Sequence, residues 1–230
     1  MTGDLTCIFC GEPLSICQAR RECTFCGALE LADHSCPRGH YVCEACRLST
    51  PTELIRRTCK TTRERDPIAL ATLLMRSPAI RIHGPEHHLL AACAPLAALR
   101  NDGVRGIDEG SIDTAIARAR HVPLGVCGLW GACGAALGAG IAASIALGAD
   151  LMSDRVRSLA MRLTSEAMAG IASIGGPRCC KASTFTAIDV AVRWLRQEYG
   201  VDLPAPAAPM WCPFQGSNLE CLGARCPYHG

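Results

Sequence analysis

The stretch "VPLGVCGLWGACGAALGAGIAASIALGA", residues 122–149, contains no charged residue. It is long enough to span a bilayer. It also carries seven glycines, two cysteines and a single aromatic residue. Small residues recur at helical spacing, as at Gly134 and Gly138, and let another backbone approach closely. The flanking segments read as ordinary charged helices. This composition favours a buried central helix over a membrane span. The expected fold is mainly α, a helical domain around a buried glycine-rich helix, with a small N-terminal zinc-ribbon or RING-like module.

Composition agrees. Hydrophobic residues make up 49% of the 230-residue chain but aromatic residues only 4%. The core must therefore be built from Ala, Leu, Ile, Val and Gly, which suits closely packed helices. On either side of the glycine-rich stretch the pattern is helical. "STPTELIRRTCKT" offers Ser49 or Thr50 as a cap and Pro51 in the first turn. "DPIALATLLMRS" follows, then "GPEHHLLAACAPLAALRN", which stays apolar for three turns with a kink expected at Pro95. "DEGSIDTAIARARHV" turns Ile112, Ala115, Ile116 and Ala119 inward. "SDRVRSLAMRLTSEAMAGIASI" and "PRCCKASTFTAIDVAVRWLRQEYG" complete the set, the last ending at Gly200 as a C-terminal cap. Strand signals are weak outside the N-terminal module. The expected division is a zinc-binding module over 1–48, a helical domain over 49–200, and a Pro/Ala linker with a cysteine-rich tail over 201–230.

Cysteine is the outlier, at 17 residues. The start, "MTGDLTCIFCGEPL", has neither a basic start nor an apolar signal core. Metal-bound thiolates in a reducing cytoplasm are expected rather than a disulfide framework. Net charge is +2, so no strong field points to nucleic acid or to a membrane surface.

Four ligand pairs stand in the first 48 residues: Cys7 with Cys10, Cys23 with Cys26, Cys36 with His40, and Cys43 with Cys46. A Cys-x-x-Cys knuckle points both sulfurs at one ion, and the glycine after "CIFC" and "CTFC" supplies a residue free to take positive φ. Eight ligands make two tetrahedral zinc sites, and so short a module needs them to fold. Sequential pairing puts Cys7, Cys10, Cys23 and Cys26 on one ion and Cys36, His40, Cys43 and Cys46 on the other. A cross-braced arrangement interleaves them, and "CPRGHYVCEAC" resembles part of a RING module. Cys17 lies between knuckles and is not expected to be a ligand.

Four further places carry chemistry. "IHGPEHH" gathers His83, Glu86, His87 and His88, a density suited to metal ligation or proton transfer. Cys127 and Cys133 would face different sides of one continuous helix, but converge if Gly128 and Gly131 break it. In "IGGPRCCKAS", Cys179 and Cys180 follow Pro177, which suits a first helical turn. The helix start, Arg178 and Lys181 are expected to lower the pKa of these thiols. Consecutive residues point about 100° apart, so one thiol can ligate metal while the other faces substrate. The tail "MWCPFQGSNLECLGARCPYHG" supplies Cys212, Cys221 and Cys226. Three thiolates with an open position suit a [4Fe–4S] cluster, and a fourth thiolate from the core would close it. Zinc on these three and His229 is the alternative.

The strings "HGPEHH", "CGLWGACGAALG", "GGPRCCK" and the tail "CPF…C…CPYH" resemble a family of cysteine-rich proteins, largely from anaerobes, classed only as a domain of unknown function. The resemblance covers nearly the whole chain. It implies an oxygen-sensitive setting, and that His83, His87, His88, Cys127, Cys133, Cys179 and Cys180 form one motif set. It implies no reaction. A looser similarity is to iron–sulfur lyases acting on serine or cysteine.

The functional expectation is an iron–sulfur-dependent enzyme, a carbon–sulfur lyase or sulfur transferase. The cluster would be bound by Cys212, Cys221 and Cys226 with Cys127 and Cys133. Cys179 or Cys180 would act as nucleophile or sulfur carrier, and His83, His87 and His88 as proton-moving groups. The partner would be a small sulfur-containing substrate or a sulfur-accepting protein. The alternative is a non-catalytic metal or redox sensor, or a zinc adaptor binding protein or RNA.

Overall fold

The structure is a computed structural model and describes residues 5–204 and 210–230. Most of the Pro/Ala linker, 205–209, lies outside the described residues. The N-terminal part is a hairpin with two knuckles. Strands β1 (Ser15–Glu22) and β2 (Leu29–Ser35) pair antiparallel, with Glu22 opposite Leu29 at the turn and an irregularity between Ile16 and Ala19. The turn joining them is the "CTFCG" knuckle. Gly11 and Gly27, which follow the two Cys-x-x-Cys units, take φ of 74° and 72°, as expected for such knuckles. A short helix, α1 (Glu44–Arg47), closes the module.

The remaining helices begin at α2 (Pro51–Thr61), where Thr50 Oγ1 accepts from the Glu53 amide at 3.3 Å and Pro51 opens the first turn. They continue through α3 (Pro67–Met75), capped by Asp66, and α4 (Glu86–Asn101), which runs on through Pro95. Next is α5 (Glu109–Ala119), which begins with an Asp108–Ser111 capping box and buries Ile112, Ala115, Ile116 and Ala119. The uncharged stretch of residues 122–149 splits into α6 (Val126–Leu129) and α7 (Gly134–Ala146). Helices α8 (Arg155–Ile174) and α9 (Cys180–Tyr199) complete the bundle, and Gly200 ends α9 at φ 65°. Among the described residues no helix is long and apolar enough to cross a membrane.

The glycine-rich helix is buried against α4. A Cβ on Gly138 would collide with the His88 carbonyl and sit 3.2 Å from the Ala92 amide. On its other flank, a Cβ on Gly140 would strike Thr164 of α8. The most enclosed helix is nevertheless α4, in which every residue from Glu86 to Leu99 is buried. A helix apolar on all sides must be surrounded, and α4 is contacted by α2, α3, α5, α7 and α9. The tail, with turns at Gln215–Ser217 and Gly223–Arg225, lies against the start of α9. It is held there by Tyr228, whose hydroxyl bonds Thr186 Oγ1 at 2.8 Å and whose ring meets Phe185 edge-on.

Candidate metal centres and the adjoining cavity

Two four-ligand sets form in the N-terminal module: Cys7, Cys10, Cys36 and His40, and Cys23, Cys26, Cys43 and Cys46. This overturns the sequential pairing. The pairs interleave, first with third and second with fourth, because the hairpin β1–β2 carries the chain from one set to the other and back. Within the first set Cys10 and Cys36 sulfurs are 3.4 Å apart and Cys7 Sγ is 3.5 Å from His40 Nδ1. In the second, Cys26 and Cys43 sulfurs are 3.6 Å apart. A tetrahedron with metal–sulfur bonds of about 2.3 Å has edges of about 3.8 Å, so both sets fit a single ion such as zinc. Backbone amides of Cys43 and Arg38 donate to Cys23 and Cys36 sulfurs, at 3.4 and 3.3 Å, which supports thiolates there. Cys17 joins neither set and directs its thiol to the Ala32 carbonyl.

The helical domain holds a second thiol-rich region, in two compartments. Cys179, Cys212, Cys221 and Cys226 line one small pocket at the junction of tail and α9. Burial pushes the Cys179 and Cys212 thiols up, and the neighbouring thiols of the set push further in the same direction. Beside this pocket is a cavity of about 480 Å³, whose lining includes His87, His88, Cys127, Cys133 and Cys180, with Cys179 on the shared wall. The five cysteines expected around one cluster are thus divided. The three of the tail join Cys179, whereas Cys127 and Cys133 face the cavity. The glycine break explains the latter pair: Gly125 and Gly131 take positive φ at either end of α6, and Cys133 becomes the residue before α7.

The adjacent thiols part company at the start of α9. Pro177 does not occupy its first turn; Cys179 is the capping residue and Cys180 the first helical residue. The expectation of a lowered thiol pKa is reversed as well. Burial raises Cys180, and the thiols of Cys133 and Cys127 raise it further; a backbone hydrogen bond at Gly84 and the charge of Arg178 oppose them only in part.

The histidines divide too. His83 is not in the cavity lining. Its Nδ1 accepts from the Cys180 amide at 3.4 Å, and its Nε2 lies 3.1 Å from Asn218 Oδ1. Asn218 Nδ2 in turn donates to Cys179 Sγ at 3.6 Å. With both ring nitrogens engaged, His83 ties α9 to the tail. His87 is 1% exposed and its Nδ1 donates to the Gly84 carbonyl at 3.1 Å. Its Nε2 is buried without a partner, and burial lowers its pKa to about 3. His88 lies on Gly134, and its Nδ1 is also buried and unpartnered. Glu86 folds back to accept from the Arg81 amide at 2.9 Å and from its guanidinium at 3.1 Å. Gly84 permits this, since any Cβ there would meet the carboxylate.

Lys181 was legible only as a cation near the thiols. It is completely buried. Its Nζ donates to the Arg81 carbonyl at 3.1 Å and sits 4.8 Å from the centre of the Phe214 ring. Burial lowers its pKa to about 8, while Glu86 and the thiols of Cys180, Cys212 and Cys179 oppose that shift. An ammonium in this position calls for negative charge nearby. Glu86 supplies one such charge, and thiols of the tail set lie close enough to supply more if they ionise on binding a metal.

A family model described as a family of unknown function, DUF5714, matches residues 55–229. The match takes in the helical bundle and the tail but begins after the N-terminal metal sets, which narrows the near-full-length resemblance expected. No curated protein and no solved structure matches the chain.

Proposed function

The chain belongs to DUF5714, a family of unknown function, and we propose that it is a metal-dependent enzyme of sulfur chemistry acting by carbon–sulfur lysis or sulfur transfer. One observation carries the reading: four thiols line one pocket while Cys180, next in sequence to one of them, lines the adjoining cavity. In this reading Cys179, Cys212, Cys221 and Cys226 bind an iron–sulfur cluster. Such a cluster supplies electron transfer or Lewis acidity. Lys181 offsets its charge, and the His83–Asn218 link holds Cys179 toward it. The two N-terminal sets hold zinc and make that module fold. The cavity receives a small sulfur-containing substrate. Its walls are largely apolar, from Val126, Met168 and Ile171 among others. Its polar groups include the thiols, Arg178 and Ser183, with His87 and His88 present as neutral imidazoles. Reduced thiols in such number suit a reducing cytoplasm.

Protein purified without oxygen should contain about two zinc ions, and replacing Cys212, Cys221 and Cys226 by Ser should remove about four iron and four sulfide without removing zinc. A third zinc and no iron in the unaltered protein overturns the cluster. Incubation with small thiols should release free sulfide by elimination, or incubation with a small persulfide should pass its outer sulfur to a protein thiol and release the donor thiol; neither outcome with either donor class overturns the enzymatic reading.

A further inference from the structure

Three cavity thiols remain outside the tail set. They come from separate elements: Cys127 from α6, Cys133 from the start of α7, and Cys180 from the start of α9. The same cavity is lined by His87, whose Nε2 is buried and has no partner. Buried polar atoms are nearly always bonded, so an unpaired one needs an explanation. The hydrogen bond from Nδ1 to the Gly84 carbonyl fixes the tautomer and leaves a free lone pair on Nε2. A metal-ligating histidine is held in just this way, its other nitrogen donating to a carbonyl.

We infer that the cavity holds a second iron–sulfur centre, bound by the thiolates of Cys127, Cys133 and Cys180 with His87 Nε2 as its exchangeable fourth donor. A mononuclear ion fits less well. Where single ions fit, in the N-terminal module, the ligand atoms gather within 4.8 Å of one another, and among the described residues the cavity thiols form no such set. The space, about 480 Å³, also exceeds what one ion needs. The two compartments then differ chemically. The tail set offers four thiolates and is coordinatively closed. The cavity set offers three and an imidazole, which a sulfide or a small thiolate can displace. Cys179 and Cys180 thus serve neighbouring centres, one residue each.

The inference rests on reading the cavity as the reaction chamber, yet it fails separately from the tail cluster. Iron, sulfide and zinc are measured in oxygen-free preparations of three proteins: unaltered, C127A/C133A/C180A, and C212S/C221S/C226S. Each variant should lose one cluster's share of iron and sulfide and keep the other's, with zinc and far-UV helicity unchanged. Full iron and sulfide in the well-folded cavity variant overturns the second centre and leaves the tail cluster standing. Because Cys127 is exposed, C127A spares the core, and it should make the cavity iron measurably more labile to chelator than in the unaltered protein. H87A should change the visible and paramagnetic spectra, with recovery on adding imidazole, whereas H88A should not. Spectra of H87A identical to those of the unaltered protein overturn His87 as a ligand.

Discussion

At the scale of single residues, Gly138 lets α7 approach the backbone of α4, where only hydrogen fits over the His88 carbonyl. Gly138→Ala should cost about 1–3 kcal/mol, because the obstacle is backbone and cannot rotate away. Denaturant unfolding checks this, and a neutral result would mean that α7 does not pack on α4 as described. Lys181 makes a second prediction. Its ammonium has one carbonyl, one aromatic face and several thiols for company. Lys181→Met should leave the fold intact and move the tail cluster to a more negative reduction potential, measured by redox titration, because a nearby positive charge that favours the reduced form is gone. The importance of Lys181 was hidden in the sequence, since nothing in "CCKAS" says whether a lysine on a helix faces water or the core. The place of His83 is hidden for a related reason: its density with His87 and His88 is visible in the sequence, but not that both of its nitrogens meet partners.

At the scale of elements, α2 and α5 are clasped by Asp113, which receives Lys60 Nζ at 2.6 Å and Arg56 Nε at 3.0 Å. The Lys60 hydrogen bond is the chief cause holding the Asp113 carboxyl below its usual range, with Arg56 adding to it. A lowered folded-state value means that the clasp contributes above the unfolded carboxyl pKa of about 3.9 and fades as pH falls through the folded value. Asp113→Asn should therefore destabilise at neutral pH by at most about 1 kcal/mol, since the pair is half exposed and screened. The gap between variant and unaltered protein should close on acidification and shrink in high salt. A gap that persists at low pH would contradict an electrostatic clasp. Most helices were legible at this scale. Thr50, the inward face of α5 and the Gly200 cap depend on local spacing alone. The start of α9 was not, because its first turn is decided by contacts 97 and 39 residues away, with His83 and Asn218.

For the whole molecule, the N-terminal module and the helical bundle should respond differently to loss of metal. A module of two knuckled sets has little core of its own. Chelation of zinc should unfold it, seen as protease cutting near the hairpin, while the helical signal of the bundle persists. Simultaneous collapse of both would show that the buried Cys23, Cys26, Cys43 and Cys46, which are part of one continuous core with the bundle, hold the two together. Acid should act as chelator does, since bound thiolates must take up protons before the metal leaves. The sequence by itself determined the ligand pairs, the helical class and the close-packed glycine-rich helix α7, but not that residues 122–133 before it are largely exposed. The features it determined follow from spacing and periodicity, which are properties of neighbours along the chain. Only the tertiary structure decided that the zinc-type sets interleave, that Cys179 sides with the tail and Cys180 with the cavity, and that Lys181 is buried among them. The reason is physical: which thiols share a space depends on how distant segments dock, and docking is fixed by the packing of whole helix faces.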